Sequence, residues 1–175
     1  MKNIPMYSGK YIDIFNLKSE DIDIKDIAHG LSLAGRWSNQ CNTKYSSAEH
    51  CLYVSQILPE EWKLAGLLHD ASDFILPEVA HYLKHSKLMA GFRMLENEIQ
   101  DKIYRKYGIN YVDHALIKKA DNTVAYWEYK KLFDKDLHHM DVVKDDVMCE
   151  VKINIYQAKI AEYKWLKRFK ELKND

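Results

Sequence analysis

The chain has 175 residues, 47% of them hydrophobic and 30% charged. That supports one domain with a sizeable core and excludes an intrinsically disordered chain. Lys plus Arg and Asp plus Glu balance at 26 each, so the chain lacks the overall basic footprint of a nucleic-acid-polymer binder. No apolar stretch approaches membrane-spanning length, so no membrane partner is expected.

The three cysteines, Cys41, Cys51 and Cys149, are odd in number and form no Cys-x-x-Cys pair. With no signal peptide, they point to reduced thiols in the cytoplasm. Six Gly and three Pro, with recurring helical spacing of apolar residues, predict a single all-α domain over 1–175.

Met1 to Asp23 is the exception, predicted as a short irregular or extended arm that packs Tyr11, Ile12, Ile14 and Phe15 on the body. A first helix is predicted from Asp26 to Trp37 on the stripe Ile27, Leu31 and Ala34. Ser46-Ser47-Ala48-Glu49 forms a capping box that opens a second helix through Leu58. Pro59 to His69 supplies a third, and a short helix follows Pro77. A longer helix runs from Ser86 to Tyr107 on Leu88, Phe92, Leu95, Ile99 and Ile103, closed by Gly108. Asp113 caps the next, which carries Leu116, Ile117, Ala120, Val124 and Trp127. After an irregular loop from Asp134 to Lys144, a last helix is predicted from Asp145 to Lys170, with Val151, Ile155, Ala158, Ala161 and Trp165 inward.

Chemistry concentrates at His69-Asp70, which ends the apolar run Ala65-Gly66-Leu67-Leu68. Two ionisable groups there need compensation for lost hydration, and a divalent cation compensates both. His50 and Asp121 are two further donors. Asp121 has Ile117, Val124 and Ala125 as helical neighbours, so it is either a ligand on an apolar face or a surface acid paired with Lys118 or Lys119. His50 is either a ligand or a satisfied core histidine. Glu49 is explained by the capping box alone. Mixed nitrogen and oxygen donors suit Mn, Fe, Co, Ni, Zn or Mg.

Asp73, three residues past the dyad, could position or deprotonate a water; its structural alternative is a cap or turn before Pro77. Arg36 offers a fork for phosphate oxygens and Trp37 a face for a base or sugar, against a surface Arg beside a core Trp. His29, seven residues before Arg36, would share its helix face. His81 and His85 lack the Glu of a zinc-protease motif, Glu78-x-x-His81 is single where a di-iron bundle needs two, and His138-His139 falls in the loop. No phosphate-binding Gly-rich loop and no Gly-x-Ser-x-Gly elbow occurs.

The ordered set His50, His69-Asp70, Asp121 resembles the HD-domain metal-dependent phosphohydrolases. Arg36-Trp37, Ala48-Glu49-His50, Leu67-Leu68-His69-Asp70-Ala71 and Lys84 resemble the 5′-deoxynucleotidase branch and its phage-type relatives, which include dNTP triphosphohydrolases. Tyr7-Ser8-Gly9-Lys10-Tyr11-Ile12-Asp13 and Asp26-Ile27-Ala28-His29-Gly30-Leu31-Ser32 extend the likeness over roughly residues 7 to 127.

The resemblance implies an HD-type helical bundle and one divalent metal ion held by His50, His69, Asp70 and Asp121. It also implies Asp73 and Asp70 as catalytic residues, and Arg36, Trp37, Lys84, Glu78 and His29 toward substrate. Family members usually carry Glu where this chain has Asp73. The implied reaction removes the 5′-phosphate of a dNMP or the triphosphate of a dNTP, dATP among them, in the cytoplasm (the host's, if the protein is phage-encoded). Homo-oligomers are common in the family. Two other readings are hydrolysis of an alarmone or cyclic nucleotide, although no Gly-Tyr-Pro follows the dyad, and a non-catalytic nucleotide-binding module.

Overall fold

The computed structural model describes residues 3–133 and 147–174, and these are mostly helical, as expected of an all-α chain. The N-terminal arm forms a hairpin in which β1 (Ile4–Pro5) pairs antiparallel with β2 (Tyr11–Ile12), Ile4 opposite Ile12. Gly9, at φ +86°, makes the turn. The tip docks through Ser8, whose backbone N–H and hydroxyl both donate to Asp26 at 2.7 Å. Of the arm residues expected to pack, Ile12 is buried and its strand neighbour Tyr11 is exposed, because successive strand residues face opposite ways; Phe15, on the 3-10 turn Ile14–Asn16, is also exposed.

Helix α1 (Ile24–Leu33) is capped by Asp23, which accepts from Lys25 N–H, and buries Ile27, Ala28 and Leu31. It ends before the predicted limit at Trp37. Gly35 bridges to Ser46, Arg36 N–H donates to the Tyr45 carbonyl at 2.9 Å, and Ser47 N–H donates to that of Ala34 at 3.0 Å. The backbone groups that would continue the helix are therefore bonded to the strand-like entry into α2.

Helix α2 (Ser47–Ile57) realises the capping box: Ser46 Oγ accepts from Glu49 N–H, and Glu49 Oε2 accepts from Ser46 N–H at 2.8 Å. It is buried along most of its length, packed against α1 and the helices that follow. The predicted helix Pro59–His69 is instead a 3-10 turn, Glu60–Trp62, running into the short α3 (Lys63–Leu67). His69 and Asp70 lie just beyond α3, and a 3-10 turn at Ala71–Phe74 carries Asp73.

Helices α4 (His81–Lys84) and α5 (Ala90–Lys106) come next, and Gly108, at φ +80°, closes the second. Leu88 precedes α5 and is 89% exposed, so it is not part of that helix's stripe; Ile99 and Ile103 are buried as expected. Helix α6 (His114–Leu132) starts at Asp113, whose side chain accepts from Leu116 N–H.

The last helix, α7 (Ala158–Asn174), starts well after Asp145. In the stretch before it, Val151 and Ile153 are buried while Ile155 is 39% exposed. Backbone N–H groups there donate to side chains: Met148 to Thr123, Asn154 to Tyr53 and Tyr156 to Glu49. Asp145 and the predicted loop Asp134–Lys144 with His138-His139 lie outside the described residues. Among the described residues no helix is long and apolar enough to cross a membrane.

Helix α1 packs against α7 and against the turn that carries Asp73. A Cβ on Gly30 would lie 2.6 Å from the Phe74 carbonyl oxygen and 2.7 Å from its Cα. Backbone atoms cannot swing aside as a side chain can. Gly30→Ala is therefore expected to cost about 1–3 kcal/mol by overpacking, read as a lower midpoint in denaturant melting.

Candidate metal centre

Three elements meet around His50. Its ring comes from α2 and is fully buried; His69 and Asp70 come from the turn after α3, and Asp121 from α6. His50 Nε2 lies 3.3 Å from His69 Nε2, 3.0 Å from Asp121 Oδ1 and 3.9 Å from Asp70 Oδ2. His69 Nε2 is 3.2 Å from Asp70 Oδ2. Ligand atoms of His50, His69 and Asp121 lie within 4.8 Å of one another, a group able to hold a metal ion.

The second nitrogen of each imidazole is engaged. His50 Nδ1 meets Glu128 Oε1 at 2.6 Å, and His69 Nδ1 meets the Gly66 carbonyl at 2.7 Å. Each Nδ1–H thus donates outward, so that an Nε2 freed of its proton would turn its lone pair to the shared point, the arrangement of metal-binding histidines. The dyad's turn is itself strapped by α5: Gln100 donates to the Leu68 carbonyl at 2.6 Å and accepts from Ser72 N–H at 3.1 Å. The donor set fits a divalent cation.

Asp121 makes the Lys118 pair of one reading and also sits in the donor group of the other. Oδ1 faces His50 while Oδ2 takes Lys118 Nζ at 2.8 Å. Burial works against its charge, but the bond from His50 holds its carboxyl well below the usual range. Burial also opposes ionisation of Asp70, and the adjoining His69 overcomes it, so that carboxyl is lowered too. His69 is in turn raised by Asp70 against burial. The imidazoles thus balance these carboxylates, and a cation binding here would have to displace their protons.

Glu128 is the residue that motif reasoning missed. Fully buried on α6, it takes His50 on Oε1 and both Arg36 Nε and Trp37 Nε1 on Oε2, the last two at 3.3 Å. Arg36 also reaches Asp70 Oδ2 through Nη1 at 3.3 Å. Burial works against the guanidinium charge, but Glu128 and Asp70 more than restore it. Glu128 follows Asp121 by seven residues, two helical turns, so helical spacing held a signal for it.

Asp73 accepts from Ser47 Oγ at 3.4 Å. Burial and the Asp70 charge push its carboxyl up to about 8, with Lys84 and Arg36 pulling the other way. Lys84 Nζ is paired with Glu96 Oε1 at 2.6 Å.

After Arg36, residues Trp37, Ser38 and Asn39 all adopt left-handed φ of 51–59°, a costly conformation for residues other than Gly. Glu78 caps this turn: Trp37 N–H donates to its Oε1 at 3.2 Å and Ser38 N–H to Oε2 at 3.4 Å. The Trp37 indole packs edge-on against Tyr129 and Phe133. A cavity of about 520 Å³ opens between Gly35, Ser38, Asn39, Asp73, Phe74 and Glu78, a volume typical of small-molecule sites.

His29 stands apart from these contacts. Its Nδ1 lies 3.2 Å from Glu162 and its ring stacks on Tyr7 at 3.9 Å. The shared helix face with Arg36 does not exist, because α1 ends at Leu33.

No known family profile matches the chain. An uncharacterized protein of Rhodobacter capsulatus is 34% identical over 124 residues, covering 66% of this chain and 63% of that protein. The chain thus spans less than two thirds of that relative's length. The uncharacterized protein YfdR of Escherichia coli K12 is 32% identical over 132 residues, covering 75% of this chain and 73% of that protein.

Proposed function

We propose that this chain, which belongs to the same family as Escherichia coli YfdR, is an HD-type metal-dependent phosphohydrolase acting on 5′-deoxynucleotides. The observation that carries the proposal is the approach of His50, His69 and Asp121 to one point, with the Arg36 guanidinium on Asp70 beside them. A divalent cation there supplies Lewis acidity, acidifying a water and polarising a phosphoryl oxygen.

The chain's own residues do the rest. Arg36 presents a fixed positive fork to phosphate oxygens and stabilises the charge that builds on them. Asp73, on the rim of the cavity, orients the attacking water and accepts its proton. Glu78 holds the left-handed turn that orients Trp37 and shapes the nucleoside side of the same cavity. Lys84 lowers the charge cost around Asp73 and the phosphate, tempered by its pair with Glu96.

The test is a product-resolved assay presenting dNMPs, dNTPs, ribonucleotides and cyclic nucleotides with Mn, Co, Mg or Zn. Orthophosphate from dNMPs identifies a nucleotidase, and tripolyphosphate from dNTPs a triphosphohydrolase. Either activity should vanish in Asp70→Ala. Silence across the panel with metal bound would overturn the proposal in favour of a binding module.

A further inference from the structure

Cys51 follows His50 on α2 and is fully buried. Ligand atoms of Cys51, His69 and Asp70 lie within 4.8 Å of one another. His69 therefore belongs to two donor sets, one of nitrogen and hard oxygen with His50 and Asp121, the other containing sulfur. We propose that Cys51, His69 and Asp70 form a second ion position that takes a soft divalent cation such as Zn²⁺, with Cd²⁺ as its spectroscopic probe.

Thiolate sulfur selects soft and borderline ions over Mg²⁺ or Mn²⁺. The thiol gives up its proton to solvent as the sulfur–metal bond forms, and the ion stays divalent throughout, so no oxidant or reductant is needed. Only one nitrogen of His69 is available, because Nδ1 is spent on the Gly66 carbonyl. Its Nε2 lies 3.3 Å from His50 Nε2 and 3.2 Å from Asp70 Oδ2. One lone pair cannot serve two ions, so filling the soft position releases the ion from the hard one. That competition rests on the metal reading above; the soft position itself does not.

The experiment titrates metal-free protein with Cd²⁺ and follows thiolate-to-cadmium charge-transfer absorption in the ultraviolet. Cys41 and Cys149 are replaced by serine throughout, so that Cys51 is the only thiol. One equivalent of Cd²⁺ should produce the band, Asp121→Asn should keep it, and Cys51→Ser should lose it. Circular dichroism checks that each variant is folded, and Asp70→Asn, which leaves the thiol in place, should weaken Cd²⁺ binding. In protein preloaded with Mn²⁺, electron paramagnetic resonance should record release of the manganese as the band grows.

Cd²⁺ bound without the band, or a band that survives in Cys51→Ser, overturns the soft position. A Cys51-dependent band in protein that never binds Mn²⁺ supports it and counts against the hydrolase proposal instead. Manganese that stays bound while the band grows overturns the competition.

Discussion

Replacing Glu128 by alanine is expected to lower stability by about 3–5 kcal/mol, the usual cost of leaving one member of a buried ion pair without its partner. Arg36 would lose one of its two carboxylate partners and Trp37 Nε1 its acceptor, while the Glu128 position itself is fully buried. Glu128→Gln is the sharper probe, because it keeps the volume. A carboxylate accepts from His50, Arg36 and Trp37 together; an amide offers one acceptor and two donors. With its oxygen toward His50, the amide N–H groups oppose those of Arg36 and Trp37. In the reverse orientation it donates to Nδ1 and drives the imidazole proton onto Nε2, the atom that faces His69 and Asp121. Either way metal affinity should fall about 10–100-fold, as for other partners of metal-binding histidines. A competition titration against a metal indicator measures this. Unchanged affinity in a folded Glu128→Gln protein would mean that His50 is oriented by something else.

Asp73→Asn is expected to reduce hydrolysis about 10²–10⁴-fold, the typical worth of a positioned general base. Asp73→Glu should stay active, since Glu is the usual residue at this position in the resembled family. A Asp73→Asn protein that hydrolyses as fast as the parent would remove Asp73 from the mechanism.

The same carboxyl has a stability signature in metal-free protein. It ionises near its ordinary value of 3.8 in the unfolded chain, but is pushed up to about 8 in the folded one by burial and by Asp70. Between those values the folded state binds more protons than the unfolded state, so this group's contribution to stability falls as pH rises. Asp73→Asn has no such proton to lose. Its melting temperature should gain on that of the parent from about pH 4 and level off above about pH 8. Added divalent cation should shrink the difference, because balancing the Asp70 charge removes one cause of the raised value. Parallel melting curves across the range would contradict this.

Much of the helical content was legible in local spacing. The capping box at Ser46 and Glu49, the Asp113 cap and the Gly108 stop are interactions within a few residues, and each appears where the residue types indicated. The errors fall where long-range bonds take the backbone away from its local preference. Helix α1 stops short because Arg36 pairs with the Tyr45 segment, and the stretch before α7 stays outside the helix as Thr123, Tyr53 and Glu49 receive its N–H groups.

The candidate site divides in the same way. His50, His69, Asp70 and Asp121 could be named from residue chemistry and motif resemblance, and Asp121 from its apolar helical surroundings. Glu128 could not be given a role, because its partners His50, Arg36 and Trp37 are 78, 92 and 91 residues away in the chain. The sequence by itself determined the all-α class, the caps and the identities of the candidate donors, since periodicity and capping act over one or two turns. Only the tertiary structure decided which nitrogen of His50 faces His69 and Asp121, that Cys51 lies close to His69 and Asp70, and that His29 points elsewhere. Those outcomes depend on which helix faces meet, and that is set by burial of the whole core rather than by any one segment.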